Sequence, residues 1–107
     1  MTATVPDVEQ WGNLALTTPA AIAAMDRLLS AIKAEVDERL QPGWADTAAG
    51  TAAVDQAVIM LAARRWARRD TPNGVVGFGG AGEVVRVGRY DPDIEALLSQ
   101  WAHGPLL

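Results

Sequence analysis

The most constraining feature of the chain is a bounded amphipathic stripe. Ile22, Met25, Leu29, Ile32, Val36 and Leu40 recur at steps of three and four, the spacing that places side chains on one face of an α-helix. Thr18-Pro19 stands before the stripe, a hydroxyl cap followed by proline at the first helical position. Pro42-Gly43 stands after it and stops the helix. Asp26, Arg27, Lys33, Asp37 and Glu38 fall largely off the stripe.

Three further helices are predicted around this one. Thr4, Pro6, Asp7 and Glu9 suit a helix N-terminus, so Val5 to Gly12 reads as a short first helix ended by Gly12-Asn13. Val8 and Trp11 are three apart and share a face. The piece is too short to stand alone, so Trp11 is expected to pack on something later in the chain. Trp44 to Gly50 reads as a loop. Thr51 then caps a second long helix, Ala52 to Arg69, in which Val54, Val58, Leu61 and Arg65 trace one line, with Ala57, Met60 and Ala67 beside it. Its alanines allow close approach to the first long helix or to a neighbouring subunit. Asp91-Pro92-Asp93 restarts helix, and Ile94, Leu97, Leu98 and Trp101 form its apolar stripe until Gly104-Pro105.

Between the last two helices lies a different kind of sequence. Pro72-Asn73-Gly74 turns the chain, Val75 to Phe78 and Glu83 to Val87 are short and β-branched, and Gly79-Gly80-Ala81-Gly82 separates them. The fold class is therefore mainly α: one domain, residues 1–107, built as a small helical bundle. It has a short N-terminal helix, two long helices and a C-terminal helix, with a Gly/Val-rich extended loop or β-hairpin before the last helix. A lone hairpin is marginal in water, so this segment either packs on the helices or is ordered by a partner.

The chemistry-bearing residues narrow the function. Gly77-Phe78-Gly79-Gly80-Ala81-Gly82 superficially resembles a phosphate loop, but no Gly-Lys-Ser/Thr and no helix start follow it. The absence of cysteine removes disulfides and thiolate metal sites, and the single histidine, His103, argues against a histidine metal site or proton shuttle. No paired carboxylates or activated serine stand at catalytic spacing. The expectation is a non-enzyme with no cofactor and no metal. No apolar run reaches membrane-spanning length and no signal peptide is visible, so the chain is expected to be soluble and made in a cytoplasm.

Charge is unevenly spread. The net charge is −4, which argues against a general nucleic-acid binder. Before Arg64 there are three bases against eight acids, and from Arg64 to Arg89 six arginines against two acids. An acidic and a basic half on one small domain suit head-to-tail contact between copies. Arg64, Arg65, Arg68 and Arg69 at a helix C-terminus read either as helix-dipole complementation and solvation, or as a docking patch for carboxylates of another chain or for DNA phosphate. Arg86, Arg89 and Tyr90 read as surface strand or as interface. The tryptophans read as core or domain-edge anchors, and Trp66, set among four arginines, is the one singled out for a subunit contact.

The order of these pieces, with the runs Arg68-Arg69-Asp70-Thr71-Pro72-Asn73-Gly74 and Arg89-Tyr90-Asp91-Pro92-Asp93-Ile94, resembles the head–tail connector proteins of long-tailed phages. These are also called head-completion or adaptor proteins, and the likeness is greatest to those of actinobacterial phages. The resemblance covers nearly the whole chain. It implies a ring-forming structural subunit of the virion, a homo-oligomer and commonly a dodecamer, assembled in the host cytoplasm and seated at the head–tail junction. Its partners would be the portal protein, a head-closure or tail-side connector, and genomic DNA passing through the lumen without specific binding. No membrane is involved. By position, the segment after the second long helix, Gly74 to Arg89, and the C-terminal region from Asp93 would dock on the portal. The interface candidates are Arg64, Arg65, Trp66, Arg68, Arg69, Val75, Val76, Phe78, Val85, Arg86, Val87, Arg89 and Tyr90. Asp26, Glu35, Asp37 and Glu38 are the lumen candidates, where acidity would let DNA slide. The alternative is a small helical DNA-binding or regulatory protein that uses the Arg64–Arg69 cluster on phosphate.

Overall fold

The structure, a computed structural model, describes residues 1–69 and 90–102. Within them the chain is mainly helical. The helices are α1 (Val5–Gly12), α2 (Pro19–Asp37), α3 (Ala48–Arg68) and α4 (Pro92–Leu98), with a 3-10 turn at Trp44–Asp46 between α2 and α3. The expected hairpin, Val75 to Phe78 and Glu83 to Val87, lies outside the described residues. Helix α4 ends at Leu98, so it stops before Trp101 rather than running on to Gly104-Pro105.

The N-terminal caps form as their residues dictate. Thr4 Oγ1 accepts from the Asp7 amide while Asp7 Oδ2 accepts from the Thr4 amide, a reciprocal capping box at the start of α1. Asn13 closes α1 in the left-handed conformation at φ 53°. Thr18 Oγ1 accepts from the Ala21 amide at 3.1 Å to open α2. Met25, Leu29, Ile32 and Val36 are buried along α2 and Leu40 just beyond it, while Ile22 stays exposed. Helix α2 ends at Asp37, and Leu40 instead forms an isolated antiparallel bridge with Ala102.

Helix α3 is the central element and touches α1, α2, α4 and the 3-10 turn. Val54, Ala57, Val58, Met60, Leu61, Ala62, Ala63 and Trp66 are all buried on it. A helix covered on several sides reads as apolar nearly all round, rather than as the single line expected. Small residues permit the close approach: Ala63 Cβ lies near Gly12.

The start of α3 corrects the sequence reading. The helix begins at Ala48, and its cap is Thr47, whose Oγ1 accepts from the Gly50 amide at 3.0 Å. Thr51 lies inside the helix and donates back to the Thr47 carbonyl at 3.1 Å. Gly50 falls in the first turn because a methyl there would overlap the Trp44 carbonyl oxygen and meet Trp101 Nε1 at 3.0 Å. The glycine marks a close approach of three segments, not the end of a loop.

Trp11 is a second correction. Val8 is fully buried, but Trp11 is 46% exposed. Two positions three apart diverge by about 60° around a helix, enough on a two-turn helix to put one inside and one at the rim.

Candidate functional site

The densest polar chemistry among the described residues surrounds the end of α3 and the start of α4. Adjacent residues on a helix point about 100° apart, so Arg64 and Arg65 reach different neighbours. Arg64 turns to α4: Nη1 donates to Asp91 Oδ2 at 2.9 Å and to Asp93 Oδ1 at 2.7 Å, and Nη2 donates to Asp93 Oδ2. Arg65 turns to α2 and grips Glu35 with both terminal nitrogens, at 3.0 and 2.9 Å. Two-pronged guanidinium–carboxylate pairs of this kind fix direction as well as distance.

Tyr90 completes the second pair. Its hydroxyl donates to Glu35 Oε2 at 3.0 Å, its ring is buried, and the Arg39 guanidinium lies over it at 5.3 Å from the centroid. One turn after Arg64, Arg68 approaches Asp91 Oδ2 at 3.6 Å. Arg69 stacks over the Trp66 ring at 3.8 Å, a cation–π contact at the helix end.

Protonation follows from these contacts. Hydrogen bonds from Arg65 hold the Glu35 carboxyl below the usual carboxylate range, against an opposing push from partial burial. Hydrogen bonds from Arg64 hold Asp93 at about 2. Asp93 in turn holds the Arg64 guanidinium protonated. Burial first, and then the Glu35 charge, push the Tyr90 phenol up to about 12. Near neutral pH the cluster is therefore a set of fixed charges with a neutral phenol, and none of these four groups is poised to exchange a proton.

Asp91 shows how the ion pairs override local rules. It occupies the cap position of α4 as expected, but makes no side-chain cap bond. Its carboxylate is engaged by Arg64 and Arg68 instead. Asp93 accepts from the Ile94 amide at 2.9 Å and supports the first turn.

The sequence candidates thus separate. Arg64, Arg65 and Tyr90 are engaged within the chain, Arg64 by Asp91 and Asp93, and Arg65 and Tyr90 by Glu35. Trp66 is a core residue, with its ring capped by Arg69. Asp26, Asp37 and Glu38 are exposed on or just beyond α2, whereas Glu35 belongs to the arginine cluster. Val75, Val76, Phe78, Val85, Arg86, Val87 and Arg89 lie outside the described residues. The partners of Arg64 and Arg65 were missed because each stands about 30 positions away in sequence, where no periodicity connects them.

Elsewhere, Asp55 ties the N-terminal segment to α3, accepting from the Thr2 amide at 2.9 Å and the Thr2 hydroxyl at 2.7 Å. A shallow hollow is lined by Met1, Lys33, Ala34, Asp37 and Trp44. Among the described residues, no group of three or more histidine, cysteine or carboxylate side chains could hold a metal ion, and no helix is long and apolar enough to cross a membrane. Comparison with known protein families, curated proteins and solved structures finds no match.

Proposed function

We propose that this chain is a structural assembly subunit, a ring-forming connector of the head–tail junction of a long-tailed phage, and not an enzyme. The observation that carries the reading is the arginine cluster. Its guanidiniums and carboxylates are spent on one another, and together they fix where the chain leaves α3 and where it re-enters at Tyr90. A helical core so braced provides a stable base for the Val- and Gly-rich residues between those points, the part of the sequence that the connector resemblance assigns to portal docking. In this reading the exposed acids Asp26, Asp37 and Glu38 face the DNA conduit, and the ring has the portal on one side and a tail-side connector on the other.

The same cluster counts against the regulatory alternative. Arg64 and Arg65 are held by carboxylates in two-pronged contacts, so phosphate would have to displace both. The test is the mass of the purified protein by light scattering, alone and with portal-bearing heads lacking their own connector. A closed ring, or a monomer that assembles on the heads, is expected. A monomer or dimer that ignores the heads and binds duplex DNA, with affinity falling steeply as salt rises, would overturn the proposal.

A further inference from the structure

We propose that residues 90–102 form a charge-fastened strap along α3, which opens as one unit while α1, α2 and α3 stay folded together. The strap runs antiparallel to α3. At its start Asp91 and Asp93 meet Arg64 near the C-terminal end of α3. At its far end the Trp101 indole nitrogen lies beside Gly50, in the first turn of α3. Tyr90, Ile94, Leu98 and Ala102 recur at steps of four and are all buried, so one side of the strap is committed to covering the bundle.

Three features set the strap apart from what it covers. Helices α1, α2 and α3 each touch the other two and so close a bundle among themselves, whereas α4 rests chiefly on α3. Helix α4 has seven residues, too few to stay helical away from its seat, so leaving the seat and losing the helix are one event. The fastening at the start of the strap is ionic and open to water: the Arg64 side chain is 26% exposed and that of Asp93 51%, so salt reaches the pair. The far end is held by the Leu40–Ala102 bridge and by Gln41, whose amide donates to the Trp101 carbonyl at 2.7 Å and whose Nε2 donates to the Ala102 carbonyl at 2.6 Å. None of these bonds joins α1, α2 and α3 to one another. When Tyr90 leaves Glu35, the two bonds from Arg65 still tie α2 to α3. Opening the strap therefore uncovers the apolar side of α3 at a lower cost than unfolding the bundle, and screening the ion pairs favours it. The inference goes beyond the connector reading and does not rest on it, because neither heads nor portal enter the test.

The test is native-state hydrogen exchange on the full chain at neutral pH, read as protection factors. The strap is reported by the amides of Glu95, Ser99 and Trp101, which donate to Asp91, Glu95 and Leu98. The bundle is reported by the buried stretches Val54 to Leu61 of α3 and Leu29 to Val36 of α2. In the wild type the strap amides are expected to exchange measurably faster than the bundle amides. Arg64→Gln removes the ionic fastening and should speed the strap amides by roughly tenfold while leaving the bundle amides unchanged. If that variant does not fold by circular dichroism, a sodium chloride series on the wild type reads the same effect, with the strap amides gaining on the bundle amides as salt rises. Strap amides as slow as the bundle amides, or an acceleration shared equally by both, would show a single cooperative unit and overturn the proposal. Strap amides with no protection in the wild type would overturn it as well, since nothing would then be fastened.

Discussion

Replacing Glu35 by glutamine tests a carboxylate that is held from two directions. The carboxylate accepts two hydrogen bonds from Arg65 and one from the Tyr90 hydroxyl. Glutamine keeps the shape and one acceptor oxygen, but it removes the charge and turns an NH2 group toward the guanidinium. Bonds to charged groups contribute about 1.5–3 kcal/mol each, whereas fully exposed ion pairs contribute about 0–1 kcal/mol. The Arg65 and Glu35 side chains are 33% and 35% exposed, so solvent screening lowers the first figure, and a loss of about 1.5 kcal/mol is expected for the variant. In a domain of this size that corresponds to roughly 5–10 °C in melting temperature. The pH dependence separates this cause from simple packing. The folded-state pKa of Glu35 lies below its unfolded value of 4.5, so its stabilisation is fully present above 4.5 and is lost as pH falls through the depressed folded value. Chemical denaturation of wild type and variant, followed by helix circular dichroism across this range, should give curves that differ at pH 7 and converge in acid. A difference that persists unchanged at the lowest pH where both fold, or no difference at pH 7, would refute the reasoning.

Other substitutions probe the remaining contacts. Tyr90→Phe removes one donor to Glu35 and should cost about 1 kcal/mol. Because Tyr90 is the single tyrosine, tyrosinate absorbance reads it directly in the wild type and should titrate at about 12, not near 10. The raised folded value means that its stabilisation is complete below pH 10 and is lost as pH rises through about 12. Gly50→Ala should destabilise by about 1–3 kcal/mol in denaturant melts, even though alanine is the better helix former, because the added methyl meets the Trp44 carbonyl. Ile94→Ala empties a fully buried position on the seven-residue α4 and should lower the denaturation free energy by about 2–5 kcal/mol. Trp11→Ser removes a half-covered indole and should lower it by about 1–2 kcal/mol, less than Ile94→Ala; a loss equal to that of Ile94→Ala or greater would mean that this indole is a core anchor.

What the sequence by itself determined is what depends on neighbours along the chain. Thr4 with Asp7 and Thr18 with Pro19 mark helix starts because cap chemistry acts over three or four residues, and Pro92 marks the start of α4 because its fixed φ suits the first helical position. The α2 stripe from Met25 to Val36 was legible because helical periodicity is local. Only the tertiary structure decided which apolar residues are inside. Trp66 is buried and Trp11 is not, since burial depends on what packs across the helix rather than on residue type. The role of Gly50 was hidden for the same reason: it became necessary only when Trp44 and Trp101 met above it. The arginine cluster was visible as composition but not as pairing. Arg65 finds Glu35, and Arg64 finds Asp91 and Asp93, only once α2 and α4 pack beside α3. Coulomb attraction depends on distance in space, and a sequence gives only distance along the chain.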